Sequence, residues 1–405
     1  MSSNDNDSGG IGPDDSGSIG PDEEEDEGTL PEGAEDEPLL SMEDVTVDFS
    51  PGGLIRKYLT DTEIKAVDRV SLDIEENDVV ALVGESGCGK TTLGKTAVAL
   101  QRPTGGSVKY RGQDIWEAKD HPGRADIDFP DIRRALQIVH QDPSNALNSS
   151  RRVRSILGDP LKKWRDDLDS EEREETIYRY LEHVEMTPAR DYADRYPYQL
   201  SGGEKQRVVL GRALLMNPDL ILADEAVSAL DVSLRVDMMD LMLELMDLID
   251  TSYLFVSHDL ANARYLAKKA DGRIAIMYLG NIVEVGPPEE ILQDPSHPYT
   301  KVLRWSTPAI DPDTAAQAVQ ESPPIRRLDI PDPEDPPSGC KYHTRCIQAR
   351  EACTREEPEM YEADGTDAKC FRVLPDHEYW TSEELEDRED IGFTLDRDEE
   401  EQAAD

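Results

Sequence analysis

The stretch Gly84-Glu85-Ser86-Gly87-Cys88-Gly89-Lys90-Thr91-Thr92 combines three glycines, a lysine and three hydroxyl side chains in one short run. Gly84, Gly87 and Gly89 let the backbone curl, so that successive N–H groups turn inward and form a nest for phosphate oxygens. Lys90 adds a point charge at the β- and γ-phosphates, and the Thr91 hydroxyl is placed to hold Mg²⁺. Further along, Asp224-Glu225 ends an apolar run with two carboxylates. Asp224 suits the Mg²⁺ shell, and Glu225 suits a water in line with the γ-phosphate. Ser201-Gly202-Gly203 opens a helix with an N-capping hydroxyl and two exposed amides, a second anion site. Ser257-His258-Asp259 sets a histidine at a strand end. The shared chemistry is transfer of a phosphoryl group to water.

Local patterns supply the elements that position these groups. Val79 to Val83 is wholly apolar, as in a strand buried on both faces, and Thr91 to Leu100 has helical character. The glycine-rich loop therefore lies at the positive end of a helix dipole. Segments 42–49 and 66–74 alternate as half-buried strands, with the turn Pro51-Gly52-Gly53 between them. Ser107 to Tyr110 is a further strand. From about 131 to 200 the chain reads helical, with a capping box at Asp169 and Glu172 and a stripe of Ile177, Leu181 and Val184. Strands follow at 220–223 and 253–256, flanking a helix at 232–250 whose wet face carries Asp237, Asp240, Glu244, Asp247 and Asp250. A hairpin over 274–285 turns at Gly280-Asn281. The expected fold is an α/β domain over 39–300 with a helical insertion at about 131–205. It is preceded by a disordered acidic tail (1–38) and followed by a Pro-rich linker (301–337), a small Cys-rich extension (338–375) and an acidic tail (376–405).

The 405 residues carry 88 Asp and Glu against 43 Lys and Arg, a formal net charge of −45. Such a surface speaks against nucleic-acid binding, which requires a basic footprint. It also repels itself unless counterions are concentrated: the Debye length falls to about 3 Å at molar salt. A salt-rich cytoplasm, as in halophilic archaea, is the expected setting. No apolar run approaches eighteen residues, so no membrane span is expected.

Taken in order, these motifs resemble the nucleotide-binding subunit of an ABC transporter. Leu200-Ser201-Gly202-Gly203-Glu204-Lys205-Gln206 matches that family's signature. The resemblance makes Gly84 to Thr92, including Glu85, Ser86 and Cys88, the Walker A loop, and Gln141 the Q-loop glutamine that also faces Mg²⁺. It makes Asp224 and Glu225 the Walker B pair with its catalytic base, Asp231 the D-loop aspartate and His258 the switch histidine. Ala226 departs from the usual proline after the glutamate, and Tyr58 is the nearest candidate for stacking on adenine. His140 to Asn148, Ile282 to Gly286 and Asp294 to Thr300 are similar to the ATPases of oligopeptide and dipeptide importers. Gly87 to Thr92 and Arg154 to Leu161 lean toward the second of that system's two ATPases.

The resemblance implies an ATP-hydrolysing subunit that closes face to face with a second one, most simply in a heterodimer. It implies work at the cytoplasmic face of the membrane with two permease subunits and an extracellular solute-binding protein. Oligosaccharides and nickel are alternative cargoes, and a soluble ABC ATPase is the alternative role. Cys340, Cys346, Cys353 and Cys370 are separated by five, six and sixteen intervening residues. That spacing is compatible with an iron–sulfur cluster, with zinc, to which His343 could contribute, or with metal-free thiols. Some members of the resembled family hold a [4Fe–4S] cluster in a similar extension.

The charge balance gives a direct expectation. Diluting KCl from molar to about 0.1 M, where the Debye length reaches about 10 Å, lowers the thermal midpoint. A midpoint unchanged over that range would contradict the halophilic setting.

Overall fold

The computed structural model describes residues 37–49, 64–307 and 325–385. The turn Pro51-Gly52-Gly53, Tyr58, nearly all of the N-terminal tail, part of the linker and the end of the C-terminal tail lie outside the described residues.

The strands are β1 (Leu40–Phe49), β2 (Ile64–Ile74), β3 (Val79–Val83), β4 (Gly105–Tyr110), β5 (Gln113–Asp114), β6 (Leu136–His140), β7 (Leu220–Asp224), β8 (Ser252–Ser257), β9 (Arg273–Tyr278), β10 (Asn281–Gly286), β11 (Tyr361–Ala363) and β12 (Thr366–Ala368). They form two sheets, ordered β2-β1-β4-β5 and β11-β12-β10-β9-β3-β8-β7-β6. The first is antiparallel. In the second, β9, β3, β8, β7 and β6 run parallel, and β10, β12 and β11 continue antiparallel at one edge.

Val79 to Val83 is buried at every position because the parallel sheet is covered on both faces. Side chains alternate between two cores, as a two-residue period demands. Val79, Ala81 and Val83 join Ile221, Phe255 and Ile276 under α8 (Gly202–Leu214), α9 (Val232–Ile249) and α10 (Leu260–Lys269). Val80 and Leu82 join Leu222, Val256 and Met277 against the antiparallel sheet and α1 (Lys90–Ala97). Two short helices, α2 (Ile115–Asp120) and α3 (Phe129–Ala135), lead from that sheet to β6. The helical arm comprises α4 (Pro143–Ala146), α5 (Val153–Trp164), α6 (Ser170–His183) and α7 (Ala189–Asp194), and returns through α8. The capping box at Asp169 and Glu172 is present as the sequence suggests.

The purely helical reading from about 131 fails at Leu136–His140, which is a strand paired with β7. Its five residues carry little period of their own, and the partner strand decides the conformation. The hairpin expected at 274–285 forms β9 and β10, but it does not end the sheet. Strands β12 and β11, from the Cys-rich segment, extend it. Residues 376–385 are not purely an extended acidic tail: Arg350 hydrogen-bonds Glu384 Oε1 at 2.6 Å, and Leu385 N donates to Ala349 O at 3.2 Å. Among the described residues, no helix is long and apolar enough to cross a membrane.

Past β10 come α11 (Pro288–Gln293) and α12 (Pro298–Ser306). His297, 1% exposed, caps α12 by accepting the Tyr299 N–H at 3.1 Å. Burial, with a smaller contribution from the Arg372 charge, lowers its pKa from 6.5 to about 3. A ring that is neutral in the fold and protonated in the unfolded chain favours unfolding in acid. Its stabilising effect is complete above about pH 6.5 and is lost as pH falls toward 3. Within that window the slope is about 1.4 kcal/mol per pH unit. His297→Asn keeps a capping acceptor, so thermal midpoints measured between neutral and mildly acidic pH should fall less steeply in the variant. Parallel curves would show that His297 is not the acid-sensitive group.

Candidate active site

Four functional segments begin where four parallel strands end. The glycine-rich loop follows β3, Gln141 follows β6, Glu225 follows β7, and His258 follows β8. Register puts His140 level with Asp224, and Asp224 level with Val256. The following residues therefore emerge side by side at the C-terminal edge, where open α/β sheets bind ligands.

Gly89 has φ +110, and an added Cβ would meet the Ala66 carbonyl oxygen at 2.1 Å. Gly84 abuts the Met277 carbonyl oxygen at the same distance. Neither position admits a side chain, so the loop lies tight on β2 and β9. Lys90, 5% exposed, donates from Nζ to the carbonyl oxygens of Gly84 at 2.8 Å and Glu85 at 3.0 Å. Burial pushes the Cys88 thiol pKa up. Thr91 Oγ1 donates to Asp224 Oδ1 at 2.9 Å. These are paired hard oxygen donors beside a phosphate nest, and they fit Mg²⁺.

Glu225 accepts from Gln141 Nε2 at 3.1 Å, and His258 Nδ1 lies 3.3 Å from the same Oε2. Its backbone sits in the left-handed region at φ 51, a conformation costing a side-chain-bearing residue about 1–2 kcal/mol. Three hydrogen bonds hold it there, one of them from Ser228 N to Glu225 O at 3.0 Å. Glu225 N donates to Val256 O at 3.0 Å, and Glu225 O accepts from Ser228 Oγ at 2.8 Å. Ala226, which follows it, is buried.

Ser201 caps α8 in a box with Glu204. Ser201 and Gly202 are exposed, Gly203 is buried, and the hydrogen bonds of Ser201 remain within its own helix start. The helix is tied to the Q-loop strand by Gln206 Nε2, which donates to His140 O at 3.2 Å. Asp231 caps α9, accepting from Leu234 N at 3.1 Å, and that backbone hydrogen bond leads the lowering of its pKa. The structure thus brings Gln141, Glu225 and His258 together, and Thr91 with Asp224. It leaves Ser201, Gly202 and Asp231 facing outward.

The amino-acid sequence of the core carries these signals. Residues 67–228 match the ABC transporter family, and 283–353 match the oligopeptide/dipeptide transporter C-terminal region. The oligopeptide transport ATP-binding protein AppF of Bacillus subtilis is 37% identical over 331 residues, covering 82% of this chain and 95% of that protein. The chain belongs to the ABC transporter family. The dipeptide transport ATP-binding protein DppF of Escherichia coli is likewise 37% identical, covering 77% of this chain and 88% of its own. The solved structure of cbiO1 from Clostridium perfringens, part of an ABC transporter complex, shares the fold. Its TM-score is 0.53 at 22% identity, covering 66% of this chain and 96% of that one. The protein is accordingly an ABC-type ATPase.

Two groups reach the glycine-rich loop from distant segments: Arg345, outside the motifs read from the sequence, and Tyr299, within the Asp294 to Thr300 stretch. Arg345 Nη1 donates to both carboxylate oxygens of Glu85, at 3.0 and 2.9 Å. The Tyr299 hydroxyl accepts the Glu85 N–H at 3.0 Å. Arg345 lies 260 positions from its partner, in a segment whose cysteines draw the eye instead.

Proposed function

We propose that this chain powers the import of oligopeptides or dipeptides as one of two ATP-binding subunits of a heterodimer. It works at the cytoplasmic face of the membrane on two permease subunits, supplied by an extracellular solute-binding protein, in a salt-rich cell. The observation that carries this reading is the oligopeptide/dipeptide C-terminal region at 283–353, beyond the catalytic core. The peptide transport names of the relatives support the same cargo.

The backbone amides of Gly87 to Thr92 and the Lys90 ammonium bind the phosphates, with Glu85 and Ser86 shaping the turn into the loop. Thr91 and Asp224, joined at 2.9 Å, would hold Mg²⁺, with Gln141 at its rim. When bound, Mg²⁺ would neutralise charge on the phosphate oxygens. Glu225 takes the proton of the attacking water. Gln141 and His258, 3.1 and 3.3 Å from its carboxylate, keep that carboxylate aimed. Ser201, Gly202, Gly203 and Asp231 serve the nucleotide held by the opposing subunit, consistent with the exposure of Ser201, Gly202 and Asp231.

Cys340, Cys346, Cys353 and Cys370 are proposed to hold a [4Fe–4S] cluster. All four are free. Burial first, and then the charges of Cys370, Cys346 and Cys353, push the Cys340 thiol pKa well above its ordinary value, so the four thiols lie near enough to act on one another, Cys346 buried and the other three half-buried. Among the described residues no three Cys, His, Asp or Glu side chains stand grouped as ligands of a metal ion. The ring Nδ1 of His343 already lies 2.8 Å from Cys340 O. Tyr342, Cys346 and Ala349 join the main core, and the segment's own apolar cluster is only Ala352, Phe371 and Tyr379, so metal–thiolate bonds would add constraint on that outer side.

Glu225→Gln keeps the shape of the carboxylate and removes its basicity. ATP should still bind while phosphate release by the assembled transporter falls roughly a hundredfold or more. Release near the wild-type rate would remove Glu225 from the role of base.

Anaerobic affinity purification from native membranes in high salt tests the remainder on one preparation. Two permease subunits and a second ATP-binding subunit should co-purify, and peptide-loaded binding protein should stimulate hydrolysis. Stimulation by an oligosaccharide or nickel instead would overturn the cargo. About four iron and four sulfide per chain are expected; stoichiometric zinc, or no metal, would overturn the cluster.

A further inference from the structure

We infer that Arg345 is a positioning residue of the nucleotide site: from the Cys-rich extension it holds the Walker A loop in shape through Glu85. The inference rests on that loop being where ATP binds.

Three restraints meet on Glu85. Its carbonyl oxygen accepts from Lys90 Nζ at 3.0 Å, its N–H donates to the Tyr299 hydroxyl at 3.0 Å, and its carboxylate accepts twice from Arg345. Beyond it the loop has less support. A Cβ at Gly87, where φ is +81, would meet nothing within 4 Å. Cys88 N closes the turn on Glu85 O at a long 3.3 Å. The ends of the loop are anchored, Gly84 O by Lys90 Nζ at 2.8 Å and Cys88 O by Gly280 N at 2.9 Å, so its path between them depends on how firmly Glu85 is fixed.

Arg345 is itself immobilised. It is 5% exposed, and its guanidinium lies 5.8 Å from the Tyr278 ring centre and 5.9 Å from that of Tyr342. Tyr278, Tyr299 and Tyr342 pack on one another with centroids 4.7 to 5.3 Å apart. Its carbonyl oxygen accepts from Arg326 N at 2.7 Å. A planar guanidinium fixed on aromatic faces offers a set of donors in a set direction, which a flexible ammonium does not. Arg345 also directly precedes Cys346, so the segment that gathers the cysteines is the one that reaches the phosphate loop.

A mere fastener of the extension would resemble Glu357, which bonds Arg69 on β2 away from the loop. The two roles separate in kinetics. A positioning residue acts on nucleotide binding, because small misplacements of a binding group cost up to about a hundredfold, whereas Glu225 and its partners lie on other strands and keep their geometry.

The test uses the full-length chain for ATP affinity and the assembled transporter for KM and kcat. Arg345→Gln should raise the Kd and KM for ATP by roughly tenfold to a hundredfold, and kcat should stay within about twofold. Glu85→Gln should do the same, and the double variant should be no worse than either single one. Arg345→Lys should recover part of the affinity, while Glu357→Gln should bind ATP as the wild type does. Glu85→Gln reads the same contact from the loop side if Arg345→Gln does not fold. Wild-type affinity in both single variants, independent effects that multiply, or an equal loss in Glu357→Gln would each overturn the inference. A wild-type chain that failed to bind ATP would instead overturn the assignment of the loop.

Discussion

The parallel register of β6, β7, β8 and β3 is the constraint on which the rest depends. His140 lies opposite Asp224, Asp224 opposite Val256, and Ser257 opposite Val83. Each strand therefore releases its functional residue at nearly the same height. A slip of one residue in any pair would turn that strand's apolar side chains to the opposite core and move a carboxylate, an imidazole or an amide out of the row. The alternation between two cores, with Val79, Ala81 and Val83 on one face and Val80 and Leu82 on the other, makes such a slip costly. Hydrophobic packing thus fixes the geometry of this row, and the hydrogen bonds around Glu225 refine it.

Much of this was legible in the sequence where the cause is local. A buried strand running into a glycine-rich turn, a serine before Gly-Gly, and two carboxylates closing an apolar run each carry their own physics within a few residues. The structure places them as that physics suggests. What was not legible depends on partners distant in the chain. Leu136–His140 lies within helical surroundings, and only β7 makes it a strand. Thr366–Ala368 has no strand pattern, yet β10 offers it an open edge. The contact of Arg345 with Glu85 has no local cause at all.

The strain at Glu225 shows how the site divides its work. A left-handed backbone at a residue with a side chain persists only where the surroundings over-determine it. Here the end of β8 and the turn through Ser228 hold the main chain. Gln141 and His258 are then free to act on the carboxylate alone. Because those two residues follow different strands, a shift of the helical arm at Gln141 would reach Glu225 without passing through the phosphate loop. Gln206, joining the signature helix to His140, makes that arm continuous with the Q-loop.

The C-terminal extension is likewise built into the core rather than hung from it. Glu284 on β10, wholly buried and with its pKa raised by that burial, accepts from Ser296 N at 2.7 Å and His297 N at 3.1 Å. The same carboxylate accepts from Thr366 Oγ1 on β12 at 3.3 Å. One buried acid thus joins the edge strand supplied by the extension to the start of α12. From that start Tyr299 reaches the Glu85 backbone while Arg345 reaches its side chain. A buried carboxylate with satisfied acceptors fixes geometry more than it adds net stability. Its position here, between the extension and the phosphate loop, accounts for two contacts on one loop residue arising from two separate segments.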